Sequence, residues 1–211
     1  ALPGNDFVFA KAIKESRVVL GQAGYWEKVK TKNKKGPPIK KSVALLKQGK
    51  HVNPSDFLPQ FETLVRNISV LEKSASGHGI FSLAPELDGT VRRVPTLFVY
   101  DKGLYPSLSI EMLRVAFNRK TILVKANRAG ITFLGINKNL ELPTDGRGRV
   151  WPYFSRGDKS KYVSAKDVLN GTADPSLIKG KLTIIGTSAV GLSDIRAVPT
   201  EPAMPGVEVH A

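Results

Sequence analysis

The chain has 211 residues, 41% of them hydrophobic and 24% charged, enough for one large domain or two small ones. Its 32 Lys and Arg against 18 Asp and Glu give a formal charge of +14, which favours partners of negative charge. No apolar run approaches the roughly 18 residues of a membrane-spanning helix, and the absence of cysteine excludes disulfides, iron-sulfur clusters and thiolate zinc sites.

From the start of the chain, Asp6 is placed to cap a helix with Phe9, Ala12 and Ile13 on one face, and residues 17–20 read as a short strand ended by Gly21. Residues 27–55 then hold most of the excess charge. Nine Lys stand there against Glu27, alongside Gly36, Pro37 and Pro38, and the apolar residues show no sustained period. This pattern predicts a long, mobile surface excursion. Clustered Lys can neutralise phosphates, but the tract contains no Arg and has aromatics only at its edge, Tyr25 and Trp26, so a solvated loop is the better reading.

Residues 56–68 predict a helix with Pro59 in its first turn, followed by a short strand at 69–71. Residues 80–83 and 90–100, β-branched and aromatic, flank Asp88-Gly89 as a hairpin-like pair, with Pro95 at an edge or bulge. Pro106 suits the first turn of a helix whose apolar stripe is Leu108, Met112, Val115 and Ala116. Strands are expected at 121–125, 131–136 and 150–154. Ser164 and Asp167 form a capping box for a short helix closed by Gly171. Residues 181–185, apolar after the first, read as a strand buried on both faces. This alternation predicts one α/β domain spanning 1–211, a mixed sheet packed by helices, with the Lys-rich segment as an insertion.

Searches for chemistry fail in specific ways. Gly186, Thr187, Ser188 and Gly191 have the spacing of a phosphate-binding loop, but Leu192 stands where Lys must reach the phosphates, so a glycine-permitted turn explains them better. A nucleophile elbow needs one residue between Ser188 and the next Gly, and two are present. His51, His78 and His210 lie far apart and lack metal-ligand spacing, so each reads as a surface or partly buried histidine. A degenerate phosphotransfer or hydrolase enzyme is therefore poorly supported. Asp145-Gly-Arg-Gly-Arg149 reads as a β-turn, because its Gly-x-Gly lacks the third Gly of a dinucleotide fingerprint. Arg92 and Arg93 are adjacent on an expected strand and so point to opposite faces, and Asp194 is a plausible partner for the inward one. That arrangement reads as an architectural ion pair, with an Arg fork holding a ligand carboxylate or phosphate as the alternative.

Four motifs in order carry a resemblance: Asp88-Gly89-x-x-Arg92-Arg93-x-Pro95; Tyr105-Pro106-Ser107-Leu108 opening a helix; the run from Gly180 through Ile185, Gly186 and Gly191 to Asp194; and Pro205-Gly206-Val207-Glu208-Val209-His210-Ala211. Together they resemble the second family of CHASE domains, extracytoplasmic sensors of bacterial receptors. The resemblance implies a sensory, non-catalytic fragment with transmembrane helices outside both ends. It further implies a cytoplasmic output, commonly an adenylate or guanylate cyclase or a histidine kinase. A small-molecule or envelope ligand, homodimerisation in the full receptor and a periplasmic or extracellular location follow from it. No catalytic, cofactor-binding or metal-binding residue is assigned. The rival reading is a soluble polyanion-binding protein that uses the Lys-rich segment.

Overall fold

The computed structural model describes residues 4–31, 42–47, 52–187 and 194–211. It is a mixed α/β fold, as expected. Contacts divide the chain into two compact units, Ala1–Ala84 with Arg93–Trp151, and Pro85–Arg92 with Pro152–Ala211.

The first unit opens with helix α1 (Asn5–Lys14), in which Ala10 and Ile13 are buried while Phe7, Val8 and Phe9 remain exposed. Gly4 occupies the N-cap, and Asp6 lies in the first turn, where its charge faces the positive end of the helix dipole. Strand β1 (Val19–Tyr25) follows. Next comes β2 (Val43–Lys47), inside the segment expected to be an excursion. It runs parallel to β8 (Ile122–Asn127), from Val43 beside Ile122 to Lys47 beside Ala126, and Val43 packs on the main core. A sheet neighbour supplies the backbone hydrogen bonds here, so no strand periodicity is needed in the sequence. The other lysines at 32, 34, 35, 40, 41 and 50 lie outside the described residues.

The helix expected at 56–68 is replaced by a 3-10 turn at Pro54–Asp56, capped by the Asn53 side chain, and by β3 (Thr63–Val65). Between them the chain is extended against residue 99: the Pro59 carbonyl accepts from Val99 N, and Phe61 N donates back to the Val99 carbonyl. Long-range pairing and burial of Phe61 and Leu64 outweigh a local helical pattern. The strand expected at 69–71 is instead helix α2 (Ser69–Ser74).

Strand β4 (Gly77–Ile80) pairs in parallel with β1, so the three-stranded sheet has the order β3-β1-β4. The hairpin expected between 80–83 and 90–100 does not form. After β5 (Val94–Pro95), β6 (Leu97–Tyr100) pairs with β7 (Gly103–Pro106). Asp101 and Lys102, with φ of 44° and 61°, make the tight turn between them. Positive φ at both central residues matches the strand twist of a two-residue hairpin. No glycine marks this turn, whereas Asp88-Gly89 forms a turn outside any hairpin.

Helix α3 (Leu108–Ala116) begins after Ser107, so Pro106 closes β7 rather than opening the helix. Strands β8 (Ile122–Asn127), β9 (Gly130–Asn137) and β10 (Leu140–Pro143) form an antiparallel run that β2 extends, in the order β10-β9-β8-β2. The two-residue β11 (Arg149–Val150) pairs with β5, and the strand expected at 150–154 goes no further.

Strand β6 is buried on both sides. Leu97 and Val99 join Ile110, Ile122, Val124, Ile131 and Leu134 in the main core, while Phe98 enters a second cluster with Phe61, Leu64 and Ile80. The Phe61 and Phe98 rings stack at 4.9 Å between centroids. Each such side chain contributes about 1.5–3 kcal/mol on burial, and the second cluster ties β3 and β6 to Ile80 of β4.

The second unit contains helix α4 (Ala165–Leu169), strands β12 (Ile195–Val198) and β13 (Glu201–Pro205), and helix α5 (Gly206–Val209). Gly171 closes α4 with φ of 70°, as its sequence suggests. Strands β12 and β13 form a hairpin, and Val91 N donates to the Ala197 carbonyl. Residues 181–185, expected as a buried strand, are neither strand nor buried: Leu182 and Ile185 are 56% and 94% exposed. An apolar run becomes an interior strand only where neighbours pair its backbone, and none does so among the described residues.

Candidate functional site

The residues singled out from the sequence occupy several places. Arg92 grips Asp88 through both guanidinium nitrogens, at 3.0 and 2.6 Å, with Glu86 at 3.8 Å. This exposed fork holds the Asp88 carboxyl well below the usual carboxylate range. Asp194 faces Arg196 at 3.4 Å, and its backbone carbonyl accepts from Gly206 N. Arg93 reaches Asp145 at 3.4 Å and lies over the Trp151 ring. Asp145 also takes the Arg149 fork and the backbone N–H groups of Arg147 and Arg149. Burial acts to raise its pKa, but these donors together leave it lowered. Arg92 is therefore paired within its own loop, Arg93 reaches across to the Asp145 turn, and that turn is fixed by charge as well as by glycine.

Gly186 and Thr187 are exposed, and a Cβ on Gly186 would press on Val207. Ser188 and Gly191 lie outside the described residues, as does His51. In the second unit the Tyr162 hydroxyl donates to Glu208 Oε2 at 2.6 Å. Desolvation and this carboxylate push the phenol up to about 12.

The densest polar constellation was missed by sequence reading. It is buried in the first unit around the parallel pair β1 and β4. Strand β4 begins Gly77-His78-Gly79. A Cβ on Gly79 would lie 2.5 Å from Leu108 Cα, and one on Gly77 would collide with the Glu111 carboxylate. The two glycines therefore admit α3 directly onto the strand. Alternation turns His78 to the opposite face, the face shared by its register neighbour Leu20 and by Gln22.

On that face Glu72 of α2 accepts from Gln22 Nε2 at 2.9 Å and from both arms of Arg66, at 3.0 and 2.6 Å. Against the glycine face, Glu111 of α3 accepts from both arms of Arg114, at 2.8 and 2.6 Å, and Arg114 donates onward to the Ser76 carbonyl. Gln22, Glu72 and Glu111 are 2%, 4% and 2% exposed, so these are interior ion pairs with their hydrogen bonds nearly filled.

His78 is 7% exposed and lies on the face of the Glu72 pair, with the Glu111 pair across the sheet. Its Nε2 is buried without a hydrogen-bond partner, while the Glu72 backbone carbonyl engages the ring. Desolvation lowers its pKa below the ordinary histidine value, outweighing the opposing pull of Glu72 and Glu111, so the ring is neutral at pH 7. Two carboxylates, two guanidiniums and a neutral imidazole make a charge-balanced interior cluster. The available signal was Glu111 itself, a carboxylate three residues after Leu108 on the apolar stripe of α3. Glu72 was hidden by the strand reading of 69–71.

The CHASE2 domain model matches residues 4–211, and the chain belongs to that family, extracytoplasmic sensor domains of signalling receptors. Domains of this family are sensory rather than catalytic. No match was found among the curated proteins or among the solved structures. Among the described residues no helix is long and apolar enough to cross a membrane, and no group of His, Asp and Glu could hold a metal ion.

Proposed function

We propose that the chain is the signal-input domain of a bacterial transmembrane receptor, with membrane helices flanking residues 1–211 and a cytoplasmic adenylate or guanylate cyclase or histidine kinase as its output. The observation that carries this reading is the family match across residues 4–211. The domain itself performs no bond chemistry. It binds a small-molecule or envelope ligand, acts as a homodimer in the receptor, and biases the output through differential affinity for two states, typically about 1–3 kcal/mol of coupling.

The test is expression of the full-length gene product in bacterial membranes, followed by assays for cyclic nucleotide formation and for autophosphorylation. An activity that changes when residues 4–211 are deleted in frame supports the reading. Absence of both activities, or an output indifferent to the deletion, overturns it. Polyanion binding by the isolated chain that falls steeply with salt, in place of any output, would favour the soluble-binder alternative.

A further inference from the structure

The interior cluster is neutral only while His78 is unprotonated. A proton on the ring would add one uncompensated positive charge beside satisfied ion pairs, and would turn the partnerless Nε2 into a buried donor without an acceptor. The charges that act on the ring are those of Glu72, Glu111 and Arg66. Helix α2 supplies Glu72, held by Arg66. Helix α3 supplies Glu111, held by Arg114. Strand β1 contributes Leu20 and the amide of Gln22. Strand β7, beside β4, carries Tyr105, whose phenol burial keeps protonated. Lys73 of α2 is exposed. Glu72, on the same face, can receive the imidazolium only by loosening its Arg66 fork, so protonation must change how α2 sits on β4.

Resting on the receptor reading, we infer that His78 is a proton-operated switch of this input domain: acidification outside the membrane drives the β1, β4, α2 and α3 cluster into a second packing in which Nε2 gains a carboxylate or water. A sensor outside the cytoplasm meets unbuffered pH, and a buried histidine beside an ion pair that its charge would disturb is a physical device for reading it.

The sign is fixed by linkage. A histidine whose folded pKa lies below its unfolded value supports the present packing fully above about pH 6.5, and the support declines as pH falls from there towards the folded pKa. The decline is at most tenfold in the equilibrium constant per pH unit.

The experiment measures, on the 211-residue chain, the thermal midpoint and amide hydrogen exchange between pH 7.5 and 5.0 for wild type and His78→Gln. The wild type is expected to lose stability and residues 77–80 to lose protection relative to residues 122–127 as pH falls, with the His78→Gln profile flat. Equal profiles overturn the switch. Should His78→Gln not fold, wild-type exchange decides alone: selective loss of protection at 77–80 supports the switch and uniform exchange overturns it. In the full receptor, an output that varies with external pH and becomes flat in His78→Gln supports the regulatory role, and a measurable output flat in both overturns it. No output at all overturns the receptor reading instead, and leaves the chain-level comparison as the support for the switch.

Discussion

At the residue scale, burial decides which ion pairs matter. Glu111 and Arg114 are paired in the interior, with side chains 3% and 12% exposed, whereas Asp88 and Arg92 meet at the surface, 53% and 43% exposed. Replacing one member of an interior pair strands the other charge and costs about 3–5 kcal/mol, whereas an exposed pair is weakened by solvent and salt. Glu111→Gln is therefore expected to lower the thermal midpoint by roughly 6–20 °C, at about 2–4 °C per kcal/mol for a chain of this size. Asp88→Asn is expected to leave it unchanged, although its fork is as short. Melting curves of the two variants side by side check the contrast, and equal shifts would mean that the Glu111 pair is solvated.

At the element scale, the approach of α3 to β4 depends on the missing side chains of Gly77 and Gly79. Gly79→Ala places a methyl 2.5 Å from the Leu108 backbone, which cannot retreat as a flexible side chain would. Overpacking of this kind costs about 1–3 kcal/mol, a midpoint loss of about 2–12 °C. Gly135→Ala in β9 is the control. Its Cβ would rest 3.6 Å from Leu123 Cβ, an ordinary contact, and alanine is the better strand residue, so stability should hold or rise slightly. Chemical denaturation midpoints of both variants test the pair.

The second element in question is β2. Charge and the absence of periodicity predict a mobile surface excursion at 27–55, yet β2 forms the parallel edge of the four-stranded sheet and Val43 contacts its core. Exchanging 29–50 for a Gly/Ser linker is now expected to lower the midpoint by more than about 10 °C, because it strips β8 of a neighbour along the whole of β2. Retention of the wild-type midpoint would mean that β2 contributes no net stability.

At the scale of the whole molecule, the family match runs through both units. Trp26 and Trp151 both lie in the first unit, while backbone circular dichroism samples both units. Coincident thermal transitions by tryptophan fluorescence and far-ultraviolet dichroism are expected of a single cooperative domain. Separated transitions would show that the units unfold independently.

The elements legible in the sequence are those whose local pattern and tertiary role agree. Residues 108–116 form α3 as their helical period predicts, although of the expected stripe only Val115 is buried, beside Ile110 and Glu111; the 122, 124 and 126 alternation of β8 matches its burial, and Gly171 stops α4 where a left-handed residue is required. Order and spacing of motifs also carried the family resemblance, because that signal is linear and needs no contacts. Where local pattern and tertiary demand diverge, the chain follows the tertiary demand. Residues 59–65 are extended because Val99 and β1 pair with them, 43–47 form a strand because β8 lies alongside, and 181–185 lack a strand because no described neighbour pairs them.

The candidate site was illegible for the same reason. Gln22, Arg66, Glu72, His78, Glu111 and Arg114 span some ninety positions and share no motif; only the parallel pairing of β1 with β4, and two glycines that let α3 close on that pair, bring them into one desolvated cluster. The sequence by itself determined the α/β class, the sensor family and the charge. Tertiary structure alone decided which charges are buried and which histidine is neutral, because desolvation is set by everything that surrounds a group and not by its neighbours along the chain.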